Sequence, residues 1–364
     1  STSYSESGNQ NEFRKERVRL TLQKQIDENT SFYAQFRTGS NSGGETGLGD
    51  EYFRLRDVYI TTKLPYDVTF KFGRIIWDPE GEHGLYVDDD AIFGDYRVDG
   101  FQFTKSWGNF TGMAMIGRNL SMLDGSNYKN AYKNPGIAVE YGDYMNYAID
   151  LFWQPTEKLF IGGGANWMKG DAETADDNSV EFKTYDVYAS FNFTPEVALQ
   201  GIYYWQDQND DAFAAGYEDS PKAWKAILDV KQDLLKFTSL RVEYQQLDNT
   251  FAGQNDPYSL GVDTNNYASI VDNMPTNNET TKFWFVKAEQ KWNDKWSSYL
   301  RYAQADYDTD GYDTSKEYGI GVKYQYSPAM AFRLAYDYVD YGDGVEQEYT
   351  GNDHVVQFRT VVNF

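Results

Sequence analysis

The sequence predicts an all-β chain: a transmembrane antiparallel β-barrel, 18 strands favoured and 16 as the fallback, with short turns at one end and long loops at the other. Three observations predict it. Polar and apolar residues alternate along successive runs of roughly ten residues. The runs come in pairs joined by tight turns, and the segments between pairs are long, acidic and rich in Gly, Asn and Asp. Strands with one apolar and one polar face, closed on themselves, are how a sheet crosses a bilayer without leaving backbone groups unpaired.

Composition agrees with that reading. The 364 residues include 31 Tyr, 23 Phe and 9 Trp, yet the mean hydropathy is strongly negative. So many rings exclude a disordered chain, and Tyr and Trp collect where a ring can be apolar at one end and wet at the other. A formal charge of -23 excludes nucleic acid as a partner. There is no Cys, hence no disulfide or thiolate site. No run approaches the length of a membrane helix, and residues 1–15 lack the apolar centre of a signal peptide.

The elements follow in order. RVRLTLQKQ, DENT and SFYAQFR make the first hairpin, with Val18, Leu20, Leu22 and Ile26 on one face and Arg17, Arg19, Thr21, Gln23 and Gln25 on the other. The same unit recurs from YFRLRDVYITTKL to YGIGVKYQYSPAMAFRLAYDYV, eight hairpins in all, with internal turns such as PYD, GN, PTEK, TPE, ND and SPA. HVVQFRTVVNF is a closing strand, Val356 and Phe358 on one face, Val355, Gln357 and Arg359 on the other. That leaves one strand missing from an even count, placed at or just before Ser1 with STSYSES as its extracellular end and GNQN as the loop after it. Residues 1–364 read as a single barrel domain.

An amphipathic last strand ending in Phe resembles the closing strand of bacterial outer-membrane proteins. The whole chain resembles their porins, and RVRLTLQKQIDENTSFYAQF with RLRDVYITTKL is most similar to the porin domain that follows an S-layer-homology module in diderm Firmicutes, the OmpM group. The resemblance implies a water-filled channel for passive diffusion of ions and small hydrophilic solutes, embedded in outer-membrane lipid, with homotrimeric assembly and no enzymatic role. A peptidoglycan tether would belong to a module not present in this chain. It also implies that the third long loop, DPEGEHGLYVDDDAIFGDYR, folds into the lumen as a constriction. Glu80, Glu82, Asp88, Asp89, Asp90 and Asp95 would then be an acidic rim, opposed to lumen Arg17, Arg19, Arg241, Arg301, Arg333 and Arg359, with Lys231, Lys287 and Lys291 as weaker contributors. A channel dedicated to a sugar or organic acid, and a largely plugged anchor, remain as alternatives.

Other features have competing readings. Arg54, Arg56 and Arg74 share parity with outward apolar residues unless a bulge near Asp57 or Gly73 turns them. Arg333 is placed to pair with Asp337 along its own strand. DYDTDGYDTSKE matches a calcium loop, with Asp306, Asp308, Asp310 and Glu317 as ligands, but strands flank it where helices should. Tyr33, Trp77, Trp107, Trp153, Trp167, Tyr204, Trp205, Trp292 and Trp296 fall near strand ends, as interfacial girdles do. His83 and His354 have no nucleophile partner by motif, and Gly162 to Gly164, inside a strand, point to close packing rather than phosphate binding.

Overall fold

The computed structural model describes residues 2–5, 10–13, 18–39, 52–85, 92–94, 96–119, 144–170, 181–209, 218–236, 238–251, 259–260, 268–269, 275, 277–342 and 352–363. Alternation produces strands wherever it was expected. The chain opens with β1 (Thr2–Ser5), β2 (Gln10–Phe13), β3 (Arg19–Gln25) and β4 (Thr30–Gly39). Hairpins follow as β5 (Tyr52–Leu64) with β6 (Val68–Trp77), β7 (Tyr96–Trp107) with β8 (Phe110–Asn119), and β9 (Tyr144–Thr156) with β10 (Leu159–Gly170). Next come β11 (Glu181–Thr194) with β12 (Val197–Gln208) and β13 (Lys222–Val230) with β14 (Ser239–Asp248). A small separate ladder, β15 (Ser259–Leu260) with β16 (Ala268–Ser269), precedes β17 (Thr280–Lys291) with β18 (Trp296–Tyr307), β19 (Ser315–Ser327) with β20 (Met330–Asp340), and β21 (Asn352–Val362).

Nineteen of these strands form one antiparallel sheet. β1 pairs with both β21 and β2, which joins the two ends of the chain. Counting the consecutive β2 and β3 as one wall position, between β1 and β4, gives eighteen positions. The missing strand is β1, and it lies within STSYSES itself, the segment expected to be only its end. Gln10 and Asn11, read as loop, belong to β2. Two short α-helices interrupt the pattern among the described residues: α1 (Pro79–Glu82) in the third long loop and α2 (Gln232–Leu235) in a turn whose period-two signal could not show it.

The period of two divides the wall into a lipid-suited outer face and an inner face. On β12, Leu199, Tyr203 and Trp205 are exposed while Ile202, Tyr204, Gln206 and Gln208 alternate with them and are buried. Leu151, Leu300, Ile320, Leu334 and Phe358 continue the outer apolar band. Trp107, Phe110 and Trp153 stack in sequence near the short-turn end of that face; nearer the other end Tyr185 stacks on Trp205 and Tyr147 meets Trp167 at a tilt. These are the interfacial girdles. Three aromatics assigned to them belong elsewhere: Trp77 and Tyr204 are buried on the inner face, and Tyr33 stacks there on Tyr59 at 4.9 Å. Nearness to a strand end does not distinguish the two faces; parity does.

Candidate functional site: the third loop and the inner wall

The third loop starts where β6 ends. Asp78 caps α1 by accepting from the Gly81 N–H at 2.9 Å, and Pro79 suits the first helical turn. This tight start turns the loop inward, and Glu80 arrives fully buried. Its Oε1 accepts from the backbone N–H groups of Ile92 (3.0 Å) and Phe93 (3.1 Å) and from the Tyr204 hydroxyl (2.7 Å). Its Oε2 forms an ion pair with Lys225, whose side chain is also fully buried, with Glu243 3.9 Å from the same ammonium. Tyr204 and Lys225 lie on β12 and β13, six and seven strands round the sheet from β6. Leu85, Ile92 and Phe93 pack with Ile75, Trp77 and Tyr204 in one apolar cluster inside the wall.

The next residues make a second attachment. His83 stacks between Phe152 (4.9 Å) and Tyr188 (4.6 Å). Tyr188 Oη lies 2.7 Å from His83 Nε2 and donates to Asp150 at 2.9 Å. Gly162 leaves the space for that ring, since a Cβ there would fall 2.2 Å from Tyr188 Cζ. Glu82 faces this cluster; burial holds its carboxyl above the ordinary range, the charge of Asp150 adds to the shift, and His83 and Lys71 oppose it.

The predicted charges thus divide. Glu80 is an anchor rather than a rim charge, and Glu82 is the acid beside it, an exposed residue whose carboxyl the surrounding protein desolvates. Asp88, Asp89, Asp90 and Asp95 lie outside the described residues, as does Arg17. Arg19 is inward by its register with the row of Tyr33 and is exposed. Arg241 is inward and 3.6 Å from Asp229. Arg301 is buried and paired with Glu317 and, at 3.4 Å, with Asp337. Gly319 stands between Arg301 and Asp337 in register, and a Cβ there would lie 2.3 Å from the Asp337 carboxylate. The ion pair of Asp337 therefore crosses two strands to Arg301 rather than running along β20 to Arg333. Arg333 instead lies over the Tyr299 ring, 5.1 Å from its centroid. Arg333 and Arg359 face inward in the short-turn half, both half-buried.

Arg56 is the bulged residue of β5, opposite the step between Gln35 and Phe36. Arg74 stays on the outer face, donating to Asp99 at 2.8 and 3.0 Å. The side chain of Arg54 lies outside the described residues. The calcium motif is not assembled. Asp306 and Glu317 occupy opposite faces of the wall, Asp308 is taken by Lys282 at 2.7 Å, and Glu317 by Arg301. Lys282 also holds the Asp308 carboxyl below its ordinary range. No metal cluster occurs among the described residues. His354 bonds Tyr336 at 2.7 Å.

Sequence comparison finds no matching family model and no matching curated protein. Solved structures do match in fold. OccD3 (OpdP) of Pseudomonas aeruginosa has a TM-score of 0.54 at 16% identity, over 100% of this chain and 90% of that one. Wzi of Escherichia coli, described as a carbohydrate-binding β-barrel involved in group 1 capsule assembly, has a TM-score of 0.55 at 12% identity, over 100% and 83%. A doubly substituted OccD1 (OprD) has 0.51 at 15%, over 100% and 94%. The fold is that of the bacterial outer-membrane β-barrels, porins among them, and the girdled apolar outer face is fitted to the outer membrane.

Proposed function

We propose that the chain forms a water-filled channel for passive diffusion of ions and small hydrophilic solutes across the outer membrane, narrowed by its third loop and assembled as a homotrimer. The short turns then face the periplasm. The observation that carries this reading is the inner face of the short-turn half: Lys287, Glu289, Lys323, Gln325, Arg333 and Arg359 line an open cavity of about 770 Å³, while Glu80 at the start of the third loop is fixed to β12 and β13. A wall that is apolar outside and charged inside, with space between, is built for water rather than for a packed core. The outward Arg74 and Asp99 pair supports a protein neighbour on that side, because charge on a hydrocarbon-facing wall is costly.

We assign selectivity to the charges of the third loop and of the basic wall together. A second reading, a largely plugged anchor, is favoured by one observation: in the long-loop half the inward Phe283, Phe285, Ala303, Ala305 and Val339 are all buried. Single-channel recording in planar bilayers under a salt gradient separates the two. The channel gives stepwise current in threes, and replacing Asp88, Asp89 and Asp90 by Asn moves the reversal potential towards anions. Silence from folded protein rejects the channel and leaves the plugged anchor.

A further inference from the structure

We propose that Lys323, Arg333 and Arg359, with Lys287, form a binding site in the periplasmic half of the lumen for small solutes carrying two or more carboxylate or phosphate groups. The inference names a ligand class for the cavity of the channel reading and takes its orientation from that reading.

Register makes the site. Lys323 of β19 is directly opposite Arg333 of β20, which is directly opposite Arg359 of β21. All three share the inward parity of the buried Glu317, Asp337 and Val355 of their own strands. Directly opposed residues on one face lie within about 5.5 Å at Cβ, and like charges there repel. Three in a row is an arrangement that isolated packing disfavours and a bound polyanion relieves. Neither Lys323 nor Arg359 has an acidic side chain within ion-pair distance among the described residues.

The neighbours orient the row. The Tyr299 ring lies between Lys287, 5.6 Å from its centroid, and the Arg333 guanidinium at 5.1 Å, so cation–π contact holds both heads at the cavity wall. Six basic side chains and two acidic ones line the cavity, and the acids are already engaged: Glu289 with Lys287 at 3.7 Å, Asp294 with Lys291 at 3.4 Å. Ser297, Gln325 and the small Ala331 complete the lining near the row. At about 770 Å³ the space takes a small polycarboxylate with its water. Guanidinium forks favour planar carboxylates and phosphates through paired N–H donors.

The test is equilibrium binding by calorimetry on the folded full chain in detergent, with citrate, succinate, inorganic phosphate and neutral succinamide as probes. Saturable binding of citrate, succinate or phosphate, and none of succinamide, is expected. Preference between the first two and phosphate then assigns the group recognised. Arg333→Gln and Arg359→Gln should each weaken binding about tenfold, the loss of one charge-assisted hydrogen bond. The triple variant with Lys323→Gln should abolish it, and Arg19→Gln, inward but outside the cavity, should leave it unchanged. Removing mutual repulsion does not threaten folding, which heat-modifiable gel migration checks. Absence of saturable binding for every anion, or equal binding by the triple variant, overturns the proposal. Binding beside silent bilayers would reject the channel and keep the site; conductance without binding would do the reverse.

Discussion

Lys225→Met isolates the contact that fixes the third loop. The ammonium and the Glu80 carboxylate are both fully buried, so the substitution leaves a carboxylate out of water whose partners among the described residues are two backbone N–H groups and the Tyr204 hydroxyl. Breaking one side of a buried ion pair costs about 3–5 kcal/mol, chiefly the penalty of the stranded charge. Glu243, 3.9 Å from the same ammonium, loses a counter-charge as well, which places the expectation in the upper part of that range. Glu80→Gln with Lys225→Met removes both charges but keeps an acceptor for the same donors, and should recover most of the loss. The assay is equilibrium urea unfolding in lipid vesicles, followed by the fluorescence of the 9 Trp. If Lys225→Met lies within about 1 kcal/mol of wild type, the pair behaves as an exposed one and the anchoring argument fails.

Three further outcomes are expected. Because burial raises the Glu82 carboxyl, it takes up its proton at a higher pH than an ordinary Glu; permeability should move towards anions as pH falls through that raised range, stability should rise over the same interval, and Glu82→Gln should flatten both profiles. Gly73 has φ +125° and a Cβ there would sit 2.3 Å from the Val58 carbonyl oxygen, so Gly73→Ala should disrupt β5–β6 pairing, seen as reduced folded yield and lost amide-exchange protection at Val58 and Tyr59. Millimolar calcium or its chelation should leave the melting temperature unchanged, since Asp306 and Glu317 lie on opposite faces of the wall; a rise of several degrees with calcium would refute that division.

Much of the wall was legible because period two is a local signal. It places Arg301, Arg333 and Arg359 on the inner face from their own strands alone. What parity does not carry is who stands opposite. Glu80 and Lys225 are 145 positions apart, and nothing in either local segment marks the other. Parity offers Asp337 a partner two positions along the same face of its own strand, Arg333, whereas Gly319 opens a path across the neighbouring strand to Arg301. A glycine between two inward charges, visible once register is known, is the signal that would have found it. Trp77 and Tyr204 were misplaced because position along a strand was used where face was needed. The calcium motif failed for a related reason: its spacing assumes a loop, and here two of its carboxylates are held by strands whose faces separate them.

The third loop also has a mechanical consequence. A cylinder held only by hydrogen bonds round its rim flattens into an ellipse at little cost, because each strand pair bends slightly and no single bond breaks. Glu80 ties β6 to β12 and β13 across the interior, and a chord of fixed length resists that flattening as a strut stiffens a hoop. The cross-section is therefore stiffest along the line from Asp78 to Lys225, and lateral pressure from the surrounding bilayer is expressed in the perpendicular direction.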